Sequence, residues 1–174
     1  MGKKKTIKMN LSVSSIENAI KQIEEYKQSL ILKTAQLLEE LGKIGIETIE
    51  TRMSNIQGDS NPNHYAFVKM NSFGSYSRAT IFLQGSKILF IEFGAGIHYN
   101  GAAGSSPHPK GQQMGYTIGS YGKGQGVNDS WIYFNEEHGR FETSQGTKAA
   151  MPMYNAEVEI RKAIKSVAKK VFGG

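Results

Sequence analysis

From Ser14 to Ser54 the chain contains no proline, and apolar side chains return every seven positions at Ile16, Ile23, Leu30, Leu37 and Ile44. Ile20, Tyr26, Ile31, Leu38 and Leu41 widen the stripe on the same side. Residues three, four and seven apart share a helix face, so this pattern specifies a long amphipathic helix. Ser14 or Ser15 is suited to cap its start, with Glu17 or Asn18 in the first turn. Unbroken, the helix is about 60 Å long at ~1.5 Å per residue. A domain of this size does not need that much helix to cover its own sheet. Two readings follow: the helix breaks near Gln28-Ser29 and folds over one sheet, or part of it packs on a neighbouring molecule.

Four segments past this helix read as strands, namely Tyr65 to Phe73, Arg78 to Leu83, Lys87 to Phe93 and Ser130 to Asn135, all rich in aromatic and β-branched residues. Gln57 to Asn63 reads as a turn or loop, and Gln84-Gly85-Ser86 as a hairpin turn. The pattern predicts an antiparallel sheet with apolar side chains on both faces: Leu89, Ile91 and Phe93 against Ile88 and Phe90, and Ile132 and Phe134 against Trp131 and Tyr133. A second helix is expected from Pro152 to residue 172, since proline suits a first helical position. It lines up Ala156, Ile160, Ala163, Ile164, Val167 and Val171, with Glu157 and Glu159 early and Lys165, Lys169 and Lys170 late, matching the helix dipole. One domain is expected throughout, α+β, with the long N-terminal helix and the C-terminal helix packed on a sheet of about four strands. A basic segment, 1–13, precedes the long helix of 14–54, and the sheet region spans 64–136.

The third predicted strand runs into Gly94-Ala95-Gly96, and ten of the twenty glycines lie between Gly94 and Gly126. A Gly-rich insertion at 97–128 is the expectation, released from a rigid scaffold at residues where glycine tolerates positive φ. Nucleotide fingerprints fail at this place. Tyr99 stands where a third dinucleotide-loop glycine belongs, and around Gly122-Lys123 a phosphate loop lacks its first glycine, at Thr117, and its Ser or Thr, at Gly124. Glu92, His98, His108, Glu136, Glu137 and His138 are types that bind metal or move protons, but no zinc-binding spacing joins them. Glu92, inside an apolar run, needs a partner if buried, and a structural pair or an interface contact is the expected role.

The chain has no cysteine, which removes disulfides, thiolate catalysis and Cys-ligated zinc and fits a reducing cytoplasm. The start, Met1 to Thr6, is basic without an apolar stretch behind it, so a secretory signal is not expected, and no membrane span is expected either. The net charge of +6 permits polyanion contact. Lys3, Lys4, Lys5 and Lys8, Lys110 and Lys123, and Arg161, Lys162, Lys165, Lys169 and Lys170 are the cations available for sequence-independent DNA binding, with no recognition motif among them.

The unit Phe90-Ile91-Glu92-Phe93-Gly94-Ala95-Gly96-Ile97, the segment Ser106-Pro107-His108-Pro109-Lys110-Gly111, and Gly146 to Ala156 with its Ala-Met-Pro-Met-Tyr start to a final helix together resemble the tailed-bacteriophage neck proteins. This family comprises head-tail joining or tail-completion proteins, also described as minor capsid or minor tail components. The resemblance runs from the long helix to the end of the chain. It departs at Met153, where the family has an aromatic residue, and in the length of the insertion. It implies an α+β fold and a non-enzymatic role without cofactor. It further implies a homo-oligomeric ring, hexameric or dodecameric, between capsid connector or stopper and tail terminator or tube, with DNA passing through the lumen without sequence-specific contact. The corresponding location is the virion, and the host cytoplasm during assembly. The candidate interface residues for such assembly are Ile88, Phe90, Glu92, Phe93, Gly94, Gly96, His98, His108, Lys110, Trp131, Tyr133, Met151, Pro152, Met153 and Tyr154. A small hydrolase or metal enzyme is the remaining alternative.

Overall fold

A computed structural model describes residues 6–56, 63–73, 76–95, 106–111, 113–114, 130–136 and 138–173. The element order is α1 (Val13–Ser54), β1 (His64–Phe73), β2 (Tyr76–Gly85), α2 (Ile88–Phe93), β3 (Trp131–Asn135), β4 (Arg140–Ser144) and α3 (Pro152–Phe172). The class is α+β, with a long N-terminal helix and a C-terminal helix. Among the described residues the strands form two antiparallel pairs, β1 with β2 and β3 with β4.

The long helix forms as the periodicity predicts, and it is continuous over 42 residues, with no break at Gln28-Ser29. Its cap lies slightly earlier than expected. Ser12 Oγ accepts the Ser15 N–H at 3.3 Å, and Asn10 Oδ1 in turn accepts the Ser12 N–H at 3.0 Å. Short polar side chains preceding the first turn thus satisfy donors the helix leaves open.

The main correction concerns Lys87 to Phe93. These residues build the short helix α2, not a strand, so the doubly apolar sheet face expected from Ile88, Phe90 and their neighbours does not exist. A short apolar run has no decisive periodicity, and tertiary contacts choose its conformation. Here β2 continues through Gly85, where a hairpin turn was expected, and Lys87 adopts φ 61°, which turns the chain into a helix closed by Ile91 N–H to Lys87 O at 3.0 Å. The helix stops at Gly94, whose φ of 79° few other residues adopt without strain and whose N–H donates to Phe90 O at 2.7 Å. Gly96 and the 97–105 part of the insertion lie outside the described residues, as does most of 112–129.

Two compact units divide the chain. One contains the chain through Ile46, Phe67–Phe82 and the chain from Glu157. In it Gly42 and Gly45 let neighbouring side chains reach the backbone of α1. A Cβ on Gly42 would stand 2.9 Å from Val68 Cγ2, and one on Gly45 would collide with Ile81 Cδ1 and lie 2.9 Å from Ile160 Cδ1. Helix, sheet and α3 therefore meet at the two places where α1 has no side chain. Lys170, reinforced by Lys43, hydrogen-bonds the Glu40 carboxylate and holds its pKa below the ordinary value.

The second unit spans Glu47–Ala66 and Leu83–Ala156. Its core consists of Ile49, Met53, Ile91, Phe93, Ala95, Pro152 and Ala156, all buried. The backbone of Ala95 pairs with Thr147 through two N–H···O bonds of 2.9 Å, which brings the start of the insertion beside the approach to α3.

Replacing Gly45 with Leu forces a side chain into the space of Ile81 and Ile160. We expect a net loss of about 1–3 kcal/mol from overpacking, which exceeds the gain in helix propensity of under ~1 kcal/mol. Urea unfolding of the full chain measures it, and an unchanged or higher midpoint would contradict the close approach.

Candidate functional site: a buried carboxylate at the start of the last helix

The Glu92 side chain projects from α2 into the interior of the second unit and is 5% exposed. A carboxylate so placed requires partners. Its Oε2 accepts the Met153 N–H at 2.8 Å and its Oε1 the Tyr154 N–H at 2.9 Å, two of the donors that the first turn of α3 cannot satisfy internally. Pro152, fully buried at the first helical position, has no N–H to satisfy. Glu92 thus acts as the N-cap that α3 lacks in its own sequence, and the positive end of the helix dipole favours its charge.

A third donor completes the carboxylate. His108 Nε2 lies 3.1 Å from Glu92 Oε1, and the ring is as buried as its partner. Its other nitrogen, Nδ1, accepts the Lys110 N–H at 3.0 Å, so the ring proton resides on Nε2 and is donated to Glu92. The imidazole packs between Phe93, with ring centroids 4.6 Å apart, and the edge of Tyr154 at 5.2 Å. Ser106 Oγ donates to Phe93 O and accepts the His108 N–H at 3.2 Å, tying the same segment to the end of α2. Both ring nitrogens are engaged within the chain, and neither is left to act as a base on a substrate.

Immediately before α3 the backbone is strained. Met151 has φ 52°, sparsely populated for a residue with a side chain. Its carbonyl accepts two bonds from Asn155, the N–H at 2.9 Å and Nδ2 at 2.6 Å, and the Ala150 N–H donates to Ile91 O at 2.8 Å. These bonds lock the corner that aims Met153 and Tyr154 at Glu92.

The sequence-selected residues thus fall into groups. Glu92, Phe93, His108, Lys110, Met151, Pro152, Met153 and Tyr154 meet in one network, with Gly94 at its edge, and Ile88 and Phe90 lie half-buried on α2. Gly96, His98 and Glu137 lie outside the described residues. Glu92, Phe93, His108 and Pro152 are interior, so they shape a surface from beneath. Trp131 and Tyr133 lie in β3, away from this network in sequence and pairing, and Tyr133 OH donates to Glu142 at 3.2 Å. Glu92 and His108 meet as a pair, and among the described residues no group of three or more potential ligands could hold a metal ion.

Sequence reasoning missed β4 and, with it, Phe141, which extends the apolar face formed by Ile132 and Phe134. Phe134 pairs with Phe141 in register, their rings edge to face at 5.3 Å, beside Ile132. Ile132 is 71% exposed, Phe134 51% and Phe141 74%. The signal was present in alternation: the apolar residues of Ile132-Tyr133-Phe134-Asn135 leave Ile132 and Phe134 on one face, and Phe141 restores that face after the turn. On the opposite face Tyr133 stands beside polar side chains. Glu142 accepts bonds from Asn135 Nδ2 at 2.8 Å, His138 Nδ1 at 2.7 Å and Arg140 Nε at 3.0 Å, and these donors, Asn135 first, hold its pKa down at about 2.

Compared with protein-family models, curated proteins and solved structures, the chain matches none of them significantly. No helix among the described residues is long and apolar enough to cross a membrane.

Replacing Glu92 with Gln puts an amide N–H₂ against other donors and removes the charged cap. We expect a loss of about 2–3 kcal/mol, the usual value for hydrogen bonds to a buried charge. Equal stability of Glu92→Gln and wild type in chemical unfolding would refute the capping role. For Glu142 the sign is set by a folded pKa below the unfolded one: its contribution is complete above the ordinary carboxylate value of 4.5 and is lost as pH falls towards about 2. Glu142→Gln should therefore flatten that part of the acid-unfolding curve, lowering the pH dependence of stability there relative to the wild type.

Proposed function

We propose that this chain is a structural virion protein of a tailed phage or prophage. It serves as a neck or tail-completion component that assembles as a ring and joins the capsid connector to the tail. The observation that carries this reading is the joining of its two most distinctive sequence segments by one carboxylate. The Phe90-to-Gly94 unit and the Met151-to-Ala156 helix start, which carry the resemblance to the neck proteins, are far apart in sequence and meet at Glu92. Their co-occurrence has a physical reason, since the glutamate supplies the cap that a Pro-started helix lacks.

Exposed apolar residues supply the second support. Ile16, Ile20, Ile23 and Leu30 on α1, and Ile132, Phe134 and Phe141 on the hairpin, are at least 37% exposed in the isolated chain. Large apolar side chains grouped on one face favour burial against another molecule. Head-to-tail use of two different surfaces closes subunits into a ring. A catalytic reading has less behind it, because His108 spends both nitrogens on structure. A DNA-binding reading based on α3 is also weakened: Arg161 pairs with Glu157, Lys162 with Glu159 and Lys170 with Glu40.

The test is mass measurement of the purified protein, alone and mixed with connector and tail-end proteins. We expect an oligomer alone or a defined complex in the mixture, and Phe141→Glu should abolish it without lowering the unfolding midpoint. A strict monomer that joins neither partner overturns the proposal.

A further inference from the structure

The outward face of the β1–β2 pair combines aromatic rings with cations. Val68 and Ile81 point to α1, as their approach to Gly42 and Gly45 establishes. Side chains alternate along a strand, so Phe67 and Lys69 on β1, and Thr80 and Phe82 on β2, point the other way, and the period extends to Arg78 and Tyr76. The stacking of Phe67 on Phe82, with centroids 5.0 Å apart and planes 13° from parallel, confirms that the two strands share this face. Tyr76 is 55% exposed and Phe82 36%, and Lys69 and Arg78 are exposed as well.

Neither strand contains an aspartate or glutamate. A second copy of the same face would bring Lys69 and Arg78 against their own kind, which like-charge repulsion disfavours. The complementary occupant is a polyanion that also carries flat apolar rings. A folded duplex offers phosphates but keeps its bases stacked inward, whereas an unpaired strand offers both. We propose that this face binds single-stranded nucleic acid without sequence preference, its bases stacking on Phe82 and Tyr76 and its phosphates meeting Lys69 and Arg78. The proposal does not rest on the neck reading, because a chain that forms no ring would keep this face.

Fluorescence anisotropy of the full-length protein tests it, with a labelled twenty-nucleotide oligothymidylate, a labelled duplex of the same length, and heparin as a polyanion without bases. We expect the single strand to bind more tightly than the duplex at low salt. Alanine at Phe82 or Tyr76 should weaken it about tenfold, the usual effect of removing one stacking platform. Lys69→Gln with Arg78→Gln, both surface changes that leave folding intact, should reduce the slope of log affinity against log salt by about 1.4, since each phosphate contact on a single strand contributes ~0.7. Three outcomes would overturn the proposal: no binding at low salt, the duplex bound at least as tightly as the strand, or a double-glutamine variant with an unchanged salt slope. Displacement of the strand by heparin at equal charge concentration would assign the face to a plain polyanion and overturn the stacking component.

Discussion

The buried carboxylate of Glu92 is the interaction on which the second unit depends. Two backbone N–H groups of α3 and the imidazole of His108 converge on its two oxygens. Removing any one leaves a polar group unpaired in a dry interior, which costs more than the bond itself contributes. The carboxylate therefore fixes three things together: the direction in which α3 leaves, the position of the segment from Ser106 to Gly111, and the rotation of α2. The left-handed Met151 belongs to the same arrangement. A strained corner is tolerated where surrounding bonds determine it, and here Asn155 and Ile91 do so.

Periodicity made the helices legible. Apolar residues at Ile16, Ile23, Leu30, Leu37 and Ile44 announce α1, and a proline followed by an apolar stripe announces α3, because both patterns extend over many turns and average out local ambiguity. The run Ile88-Leu89-Phe90-Ile91-Glu92-Phe93 is too short for that. Its β-branched and aromatic residues favour a strand locally, but a helix lets Glu92 reach α3 while Ile91 presents its carbonyl to Ala150. No local rule contains that information, since the partners lie some sixty positions along the chain. Glu92 itself could be selected, as a charge in an apolar run, but its role could not, because backbone donors at a distant helix start leave no mark in the sequence. β4 was overlooked for a different reason: Arg140-Phe141-Glu142-Thr143-Ser144 holds a single large apolar residue and acquires its strand character from pairing with β3.

The exposed surfaces differ in chemistry. On the hairpin and the first half of α1 the grouped residues are aliphatic and phenyl, suited to dry contact with protein. On β1–β2 the rings alternate with cations, suited to a charged and wetter partner. The basic residues of α3 are largely committed to carboxylates within the chain. Net positive charge therefore says less about nucleic-acid contact than does a face on which cations and rings share strands that contain no acids.

The separation between Glu92 and the helix it caps also has a bearing on synthesis. Met153 follows Glu92 by 61 positions. At a translation rate of roughly 5–20 residues per second, several seconds pass between the appearance of the carboxylate and that of the N–H groups it must receive. During that interval α2 has a charge it cannot bury at low cost, so closing of the second unit waits for the start of α3 to emerge from the ribosome. A nascent chain in which Met153 and Tyr154 are still unavailable thus lacks the donors that let this carboxylate be buried.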